Sequence, residues 1–250
     1  MLMSRTFWCT AMVATCGMLW GATASAQKPT EKPAEKTDAE KTADVVEQLA
    51  LAAELTAFGR GELADATGVK DFKSPEALVA AGGILLRAHK QTAGKVTPSD
   101  AKVTDDDDKP IAEEGGADES LADEAEALFD EARALPSKDK AALEAQIKQA
   151  QTVPERAVVV GPRVVKRVIT TAKPHTIHMG FGPRGPAAVT VHGAGRTHFE
   201  VHGKGGNVLW HSRGPHGVYK WHPAHGGVND VKVKVFNKGG PAVKYKVFAN

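Results

Sequence analysis

The sequence predicts an α+β multidomain protein, a small N-terminal helical bundle followed by a C-terminal antiparallel β-sandwich. Three observations carry this prediction. Apolar residues recur at helical spacing between residues 44 and 152, and from residue 156 onward they alternate with polar residues at the period of a strand. Residues 27–152 carry 16 basic and 27 acidic side chains, whereas residues 153–250 carry 15 and 3. These opposite charges indicate that the halves dock on each other, that each meets a different partner, or that each set only keeps its own domain soluble.

Residues 1–26 have the pattern of an export signal. Arg5 precedes an almost wholly apolar segment, residues 6–22, and the small residues 24–26 end it, so we expect cleavage after Ala26. Cleavage would leave a mature chain without cysteine and without a transmembrane span, located in the periplasm, at the cell surface or outside the cell. A lipoprotein signal acylated at Cys16 is the alternative, but Thr15 is a poor residue before such a cysteine.

The next segment, residues 27–43, is predicted to be a disordered tether because it contains no large apolar side chain. Residues 44–152 form the acidic helical region. Helices are predicted from Asp44, from Ser74-Pro75, from Leu121 and after Ser137, because capping residues or apolar stripes begin there. Residues 94–117, which include the acidic run 105–108, are predicted to be a linker or exposed loop.

Residues 153–250 are predicted to form the basic, histidine-rich sandwich. Gly and Pro separate short alternating segments, and Greek-key closure is the default topology. Alternation places aromatic residues such as Phe199 and Trp221 in the core and the histidines on the opposite faces of their strands. The predicted strands are residues 158–161, 164–170, 176–181, 188–192, 197–202, 207–211, 218–222, 231–237 and 243–249.

A histidine patch is the first candidate site. A hairpin loop at residues 203–206 would pair His198 with His211 and bring both beside Glu200 and His202 on one exposed face. Imidazole and carboxylate groups are ligands of zinc, copper and nickel, so the patch is a candidate transition-metal site. A plain solvated face is the alternative. Protonation is a third interpretation, because exposed histidines titrate near about pH 6.5 and would then add positive charge.

The second candidate site is a lysine stripe. If the last two strands pair, Lys232, Lys234, Lys244 and Lys246 share one outward face. Such a stripe would bind an anionic polymer, a component of the cell envelope or an acidic protein partner. Lysines on exposed strands also prevent edge aggregation, which is the structural alternative. Nucleic acid is not expected as a partner of an exported chain.

Four C-terminal segments resemble the pre-peptidase C-terminal-like sandwiches of exported bacterial proteins. They are residues 193–209, 221–223, 233–240 and 245–250, with turn glycines, a strand tryptophan and a closing hairpin. The resemblance implies a secretion, adhesion or substrate-binding appendage. Aspartates that hold calcium in such domains are replaced by Ala194, Arg196, His198 and Gly203, so no calcium is expected here.

The sequence contains no known arrangement of catalytic residues. The mature chain lacks a thiol, a G-x-S-x-G elbow, an H-E-x-x-H helix and a phosphate-binding glycine loop before a helix. We therefore expect a non-catalytic exported binding or structural module, with a transition-metal-binding protein as the alternative.

Overall fold

In a computed structural model of the chain, helices come first and strands follow, as the periodicity predicts. The model describes residues 36–62, 73–112, 120–152, 160–170, 173–182, 185–212, 214–223 and 230–250. The predicted export signal and the first part of the tether, up to residue 35, lie outside the described residues, as do residues 158 and 159 of the strand predicted at 158–161; residues 160 and 161 are not part of a strand. Helices and sheets belong to one compact unit, Lys36–Asn250.

Four α-helices are described. They are α1 (Asp38–Gly59), α2 (Pro75–Gln91), α3 (Leu121–Ala134) and α4 (Lys140–Gln151). Their apolar stripes meet in one core, where α2 and α3 approach closely: a Cβ on Gly82 would lie 2.6 Å from the Phe129 ring. Ser74 caps α2 and Pro75 occupies its first turn, as predicted. The cap of α4 is Asp139 and not Ser137, because the Asp139 carboxylate accepts from Ala142 N at 2.9 Å.

The tether prediction is wrong for residues 38–43, which form the first turns of α1. Thr37 and Glu40 make a capping box: Thr37 N donates to the Glu40 carboxylate at 2.7 Å and Glu40 N donates to Thr37 Oγ1. Thr42 and Ala43 are buried, and Thr42 Oγ1 donates to Val160 O at 3.0 Å. The cap and this burial extend the helix into a segment whose composition alone indicated disorder.

Ten strands are described, in two five-stranded sheets. Sheet A has the order β1-β3-β10-β5-β8 and sheet B the order β2-β4-β9-β6-β7. Their inner faces enclose the sandwich core, which contains Ile177, Phe199, Val233 and Tyr245. The strands are β1 (Thr97–Pro98), β2 (Val103–Thr104), β3 (Arg163–Ile169), β4 (His175–Gly180), β5 (Ala187–His192), β6 (Thr197–His202), β7 (Val208–His211), β8 (His216–Trp221), β9 (Asp230–Asn237) and β10 (Val243–Ala249).

The predicted linker, residues 94–117, is partly incorporated into the sandwich. Strand β1 pairs in parallel with β3, and β2 pairs antiparallel with β4, so each extends one edge of a sheet. Val103 is buried in the sandwich core. The acidic run begins with a turn in which the Asp105 carboxylate accepts from the backbone N of Asp107 and Lys109, and Lys173 contacts both aspartates. Unpaired sheet edges provide the backbone partners that order this segment.

The helical layer covers the outer face of sheet A. Val164 and Phe248 of this face join the helical core, and Ala188 packs against Ala43 and Val46 of α1. Among the described residues, two ion pairs connect the helices to sheet A, Lys220 to Glu47 at 2.7 Å and Lys246 to Glu124 at 2.8 Å. The acidic and basic halves therefore dock on each other, which is one of the three outcomes that the charge division predicts.

Candidate functional site

The outer face of sheet B has no helical cover in the described part of the chain. Three strands supply most of its polar side chains. Strand pairing aligns these side chains in rows across the sheet. One row is His178, Lys232 and His202, and the next is Lys234, Glu200 and His211. His198 stacks on Phe236 at the end of this face, with ring centroids 4.6 Å apart. We call the eight residues 178, 198, 200, 202, 211, 232, 234 and 236 the sheet B face.

Glu200 lies at the centre of the predicted metal patch. Its Oε2 is 2.8 Å from His202 Nε2, and its Oε1 is 4.0 Å from His198 Nε2. The other nitrogen of His202, Nδ1, lies 3.1 Å from Gly206 O. Both partners of His202 are acceptors, and a neutral imidazole carries a single N–H, so it donates to one of them at a time; a metal ion on either nitrogen would have to displace the contact there.

The hairpin register differs from the prediction by two residues: the loop is one residue longer, so that His202 pairs with Val208 and not Asn207, and a β-bulge adds the second. His211 lies opposite Glu200, whereas the sequence predicted His198 opposite His211. A register shift between Val201 and His202 inserts one extra residue into β7, and the loop closes through Gly203 N donating to Asn207 O. One inserted residue moves every later pair along the hairpin, and loop length alone does not reveal it.

Within the described residues, no group of three or more His, Cys, Asp or Glu side chains is placed to hold a metal ion. The four predicted ligands share one face, but His198 and His211 do not lie opposite each other. Zinc, copper or nickel binding at this patch stays a prediction.

The structure divides the predicted lysine stripe between two sheets. Strand β9 pairs with β4 and β6, whereas β10 pairs with β3 and β5, so the last two strands do not pair. Lys232 and Lys234 lie on the sheet B face. Lys244 and Lys246 lie on the helix-covered side of sheet A, where Lys246 pairs with Glu124. Consecutive strands of a sandwich can cross between sheets, which alternation within each strand does not show.

The histidines of the sandwich do not all titrate as exposed imidazoles. Burial lowers the pKa of His178, and Lys232 and Lys102 lower it further; burial and then Lys238 lower the pKa of His198. Protonation near about pH 6.5, as predicted from exposure, is therefore wrong for these two. The pKa is lowered, mainly by burial, for five histidines in all: His175, His178, His192, His198 and His216.

Three histidines have surroundings that the sequence analysis missed. His175 faces the sandwich interior, where its Nδ1 lies 3.0 Å from Tyr245 Oη. Alternation could have found it, because His175 is in phase with the core residue Ile177. His192 points away from the sandwich core, as predicted, and so does His216, which lies outside the predicted strands; both face the helical layer and line a cavity there. No sequence signal places that layer over them.

Among the described helices, none is both long and apolar enough to cross a membrane. No protein-family model matches the chain, and no curated protein matches it. The resemblance to pre-peptidase C-terminal-like sandwiches therefore stays a prediction.

Solved structures give only weak similarity. A de novo designed double-stranded β-helix matches at 15% identity with a TM-score of 0.26, over 35% of this chain and 99% of its own. A periplasmic inhibitor of g-type lysozyme from Aeromonas hydrophila matches at 16% identity and TM-score 0.26, over 36% of this chain and 86% of its own. A family GH115 4-O-methyl-α-glucuronidase matches at 11% identity and TM-score 0.24, over 89% of this chain and 35% of its own. Similarity at this level carries no argument about fold or function.

Proposed function

We propose that the protein is a non-catalytic exported binding module that holds an anionic polymer of the cell envelope on the sheet B face. One observation carries the proposal: the helical layer covers sheet A, whereas no described helix covers this basic, histidine-rich face of sheet B. The expected export signal would place the module in the periplasm or at the cell surface.

The distribution of ion pairs supports this choice of face. On sheet A, the acidic helices neutralise Lys220 and Lys246. On sheet B, neither Lys232 nor Lys234 forms an ion pair with any described residue. The sheet B face has two lysines and four histidines, and the outward carboxylates beside them are Glu200 and, at the start of β9, Asp230. Unpaired cations on an open face attract a polyanion through their summed field.

Retention on a sulfated polysaccharide matrix tests the proposal. We expect the Lys232→Glu, Lys234→Glu double variant to bind about tenfold more weakly and to elute at lower salt, because each reversal replaces an attraction by a repulsion. The Lys138→Glu, Lys244→Glu double variant is the matched control, since both lysines are exposed, neither lies on sheet B, and the change in net charge is the same. Equal losses in the two double variants would show that net charge, and not the sheet B face, governs retention.

Acidification should strengthen retention. His178 and His198 have pKa values below the ordinary one, so they are neutral at about pH 7.5 and gain charge only below about pH 6.5. We expect the increase in retention below about pH 6.5 and little above it. The same measurement on a His178→Gln, His198→Gln variant should give a smaller increase; an unchanged pH profile would contradict the histidine contribution.

Transition-metal binding is the second candidate, favoured by a Glu200 carboxylate that lies within 4.0 Å of imidazole nitrogens on both sides. Calorimetric titration with zinc, copper and nickel tests it. Heat from the wild type that disappears in a His198→Ala, His211→Ala variant would support a metal site. Equal heats from both proteins would remove this candidate.

A further inference from the structure

A cavity of about 390 Å³ lies between the helical layer and sheet A. Its walls are the second half of α1, the start of α3, and the strands β5, β8 and β10. This volume falls in the range of sites for small molecules. The cavity lies on the opposite side of the sandwich from the sheet B face.

Part of the cavity wall is apolar, and it adjoins the polar part, because the Phe248 and His192 ring centroids lie 5.0 Å apart. Leu49 of α1, Leu85 of α2, Leu128 of α3 and Phe248 of β10 contribute side chains there, and all four are buried members of the helical core. Such a wall favours a hydrocarbon or aromatic body, because contact removes apolar surface of the ligand from water.

The polar part of the cavity wall is a row of side chains across sheet A. Strand pairing places Lys246 beside His192, and His192 beside His216, with the two imidazole centroids 6.3 Å apart. Both ring nitrogens of His216 and Nε2 of His192 are buried without a hydrogen-bond partner. Rotation of an imidazole by 180° about χ2 places its two nitrogens where two ring carbons were, and the ring occupies the same space. Either ring can therefore turn a nitrogen toward the cavity without backbone movement. Unpartnered buried polar atoms are costly, and a ligand that bonds to them recovers that cost.

The cations near the two imidazoles are Arg60 and Lys246, and each is paired with a carboxylate, Arg60 with Glu131 and Lys246 with Glu124, both at 2.8 Å. Burial, and then Arg60, lowers the pKa of His216 to about 4; burial, His216 and Lys246 hold the pKa of His192 well below its usual range. Both rings are therefore neutral near neutral pH, and each keeps one N–H donor.

The carboxylates that line the cavity are largely engaged elsewhere. Glu124 pairs with Lys246 at 2.8 Å, and Asp123 accepts from Ser120 N and Oγ at the cap of α3. Glu62 lies in the turn after α1 and is exposed. Each neutral imidazole offers one N–H donor, and an anionic acceptor receives the stronger, charge-assisted hydrogen bond from it.

We infer that this cavity binds a small monocarboxylate with an apolar body, its carboxylate at His192 and His216 and its body against the apolar wall. The apolar part of the wall and the two histidines suit different chemical groups, so both the hydrocarbon body and the carboxylate of the ligand are needed for binding. Neither the alcohol nor the amine with the same hydrocarbon chain supplies the anionic acceptor.

Isothermal titration of the chain with octanoate, octanol and octylamine tests the inference. We expect octanoate to bind at least about tenfold more tightly than the other two, and His216→Ala to weaken octanoate about tenfold through the lost hydrogen bond to a charged group. His211→Ala is the matched control, because this histidine lies on sheet B, and it should leave octanoate affinity unchanged.

Ala53→Phe is a second variant that does not depend on the histidines. Ala53 lines the cavity, so a larger side chain there should abolish octanoate binding, and thermal unfolding would verify that the variant is folded. Absence of octanoate binding by the wild type, equal binding of octanol, or full binding by a folded Ala53→Phe variant would each overturn the inference. Zinc binding that is lost in His216→Ala, without octanoate binding, would also overturn it in favour of a metal site.

Discussion

The two outer faces of the sandwich carry similar residue types but have different surroundings. On sheet A, the row Lys246, His192, His216 lies beneath helices, and Lys246 pairs with Glu124. On sheet B, Lys232 and His202 lie in the corresponding kind of row with no helix over them in the described chain. Histidine and lysine at outward strand positions therefore indicate only that a side chain points away from the sandwich core. What lies beyond it, water or another layer, depends on the rest of the fold.

The difference has an energetic cause. Sheet A offers Val164, Ala188 and Phe248 to the apolar stripes of the helices, so docking removes apolar surface from water. Sheet B offers Phe236 among charged and imidazole groups, which favour water. The helices pack on the sheet whose outer face contains enough apolar side chains to hold them.

The largest expected contrast comes from truncating one phenylalanine on each face. Phe248→Ala should lower the free energy of unfolding by about 3 kcal/mol, because Phe248 is buried between sheet A and the helices. Phe236→Ala should lower the free energy of unfolding by about 1 kcal/mol or less, because the Phe236 ring is half-buried and stacks on His198 at the surface of sheet B. Urea unfolding of both variants measures the two changes in the free energy of unfolding. Equal decreases would mean that the two faces are covered alike.

The next contrast concerns pH. The native state keeps His216 neutral down to about pH 4, whereas the unfolded chain binds a proton near about pH 6.5, so the unfolded state binds more protons between these values. The free energy of unfolding should therefore decrease as pH falls from about 6.5 to 4, by roughly 1–3 kcal/mol from His216 alone. Above about pH 6.5 the neutral His216 causes no such loss of stability.

Replacing the histidine isolates its share of this pH dependence. His216→Asn should flatten the fall in urea-unfolding free energy over that range, whereas His211→Asn on the other face serves as the control. If the free energy of unfolding falls with pH in both variants as it does in the wild type, the protonation of His216 does not limit stability.

The smallest contrast concerns single lysines. Lys246→Ala removes a half-buried ion pair with Glu124 and should cost about 1 kcal/mol, with a smaller cost at high salt. Lys232→Ala should change stability by less than about 0.5 kcal/mol, because Lys232 is exposed and forms no ion pair with a described residue. Thermal unfolding at low and high salt checks both; salt-independent losses at Lys246 would indicate packing of its stem instead of the charge pair.

Most strands were predictable because their signals are local. The strand predicted at residues 197–202 is β6, and the one predicted at 243–249 is β10, with Phe199 and Tyr245 in the core. Each follows from alternation between turn residues. The start of α1 was missed, although Thr37 and Glu40 are a capping-box pair, because the composition of the surrounding segment indicated disorder.

The candidate site was predicted less well because it depends on non-local pairing. Placing His211 opposite Glu200 required a bulge in β7, and separating Lys234 from Lys246 required β9 and β10 to join different sheets. Both outcomes depend on interactions between strands distant in sequence, which a pattern within one strand does not encode.

The sequence by itself determined the class of the fold, the succession of helices and strands, the inward side of most strands and the opposite charges of the two halves. These properties arise from short-range periodicity, capping and composition, which any segment carries alone. Only the tertiary structure decided which sheet the helices cover, which lysines stay free of ion pairs, and that His192 and His216 share a cavity. Those outcomes depend on burial, and burial is set by the packing of elements far apart in the chain.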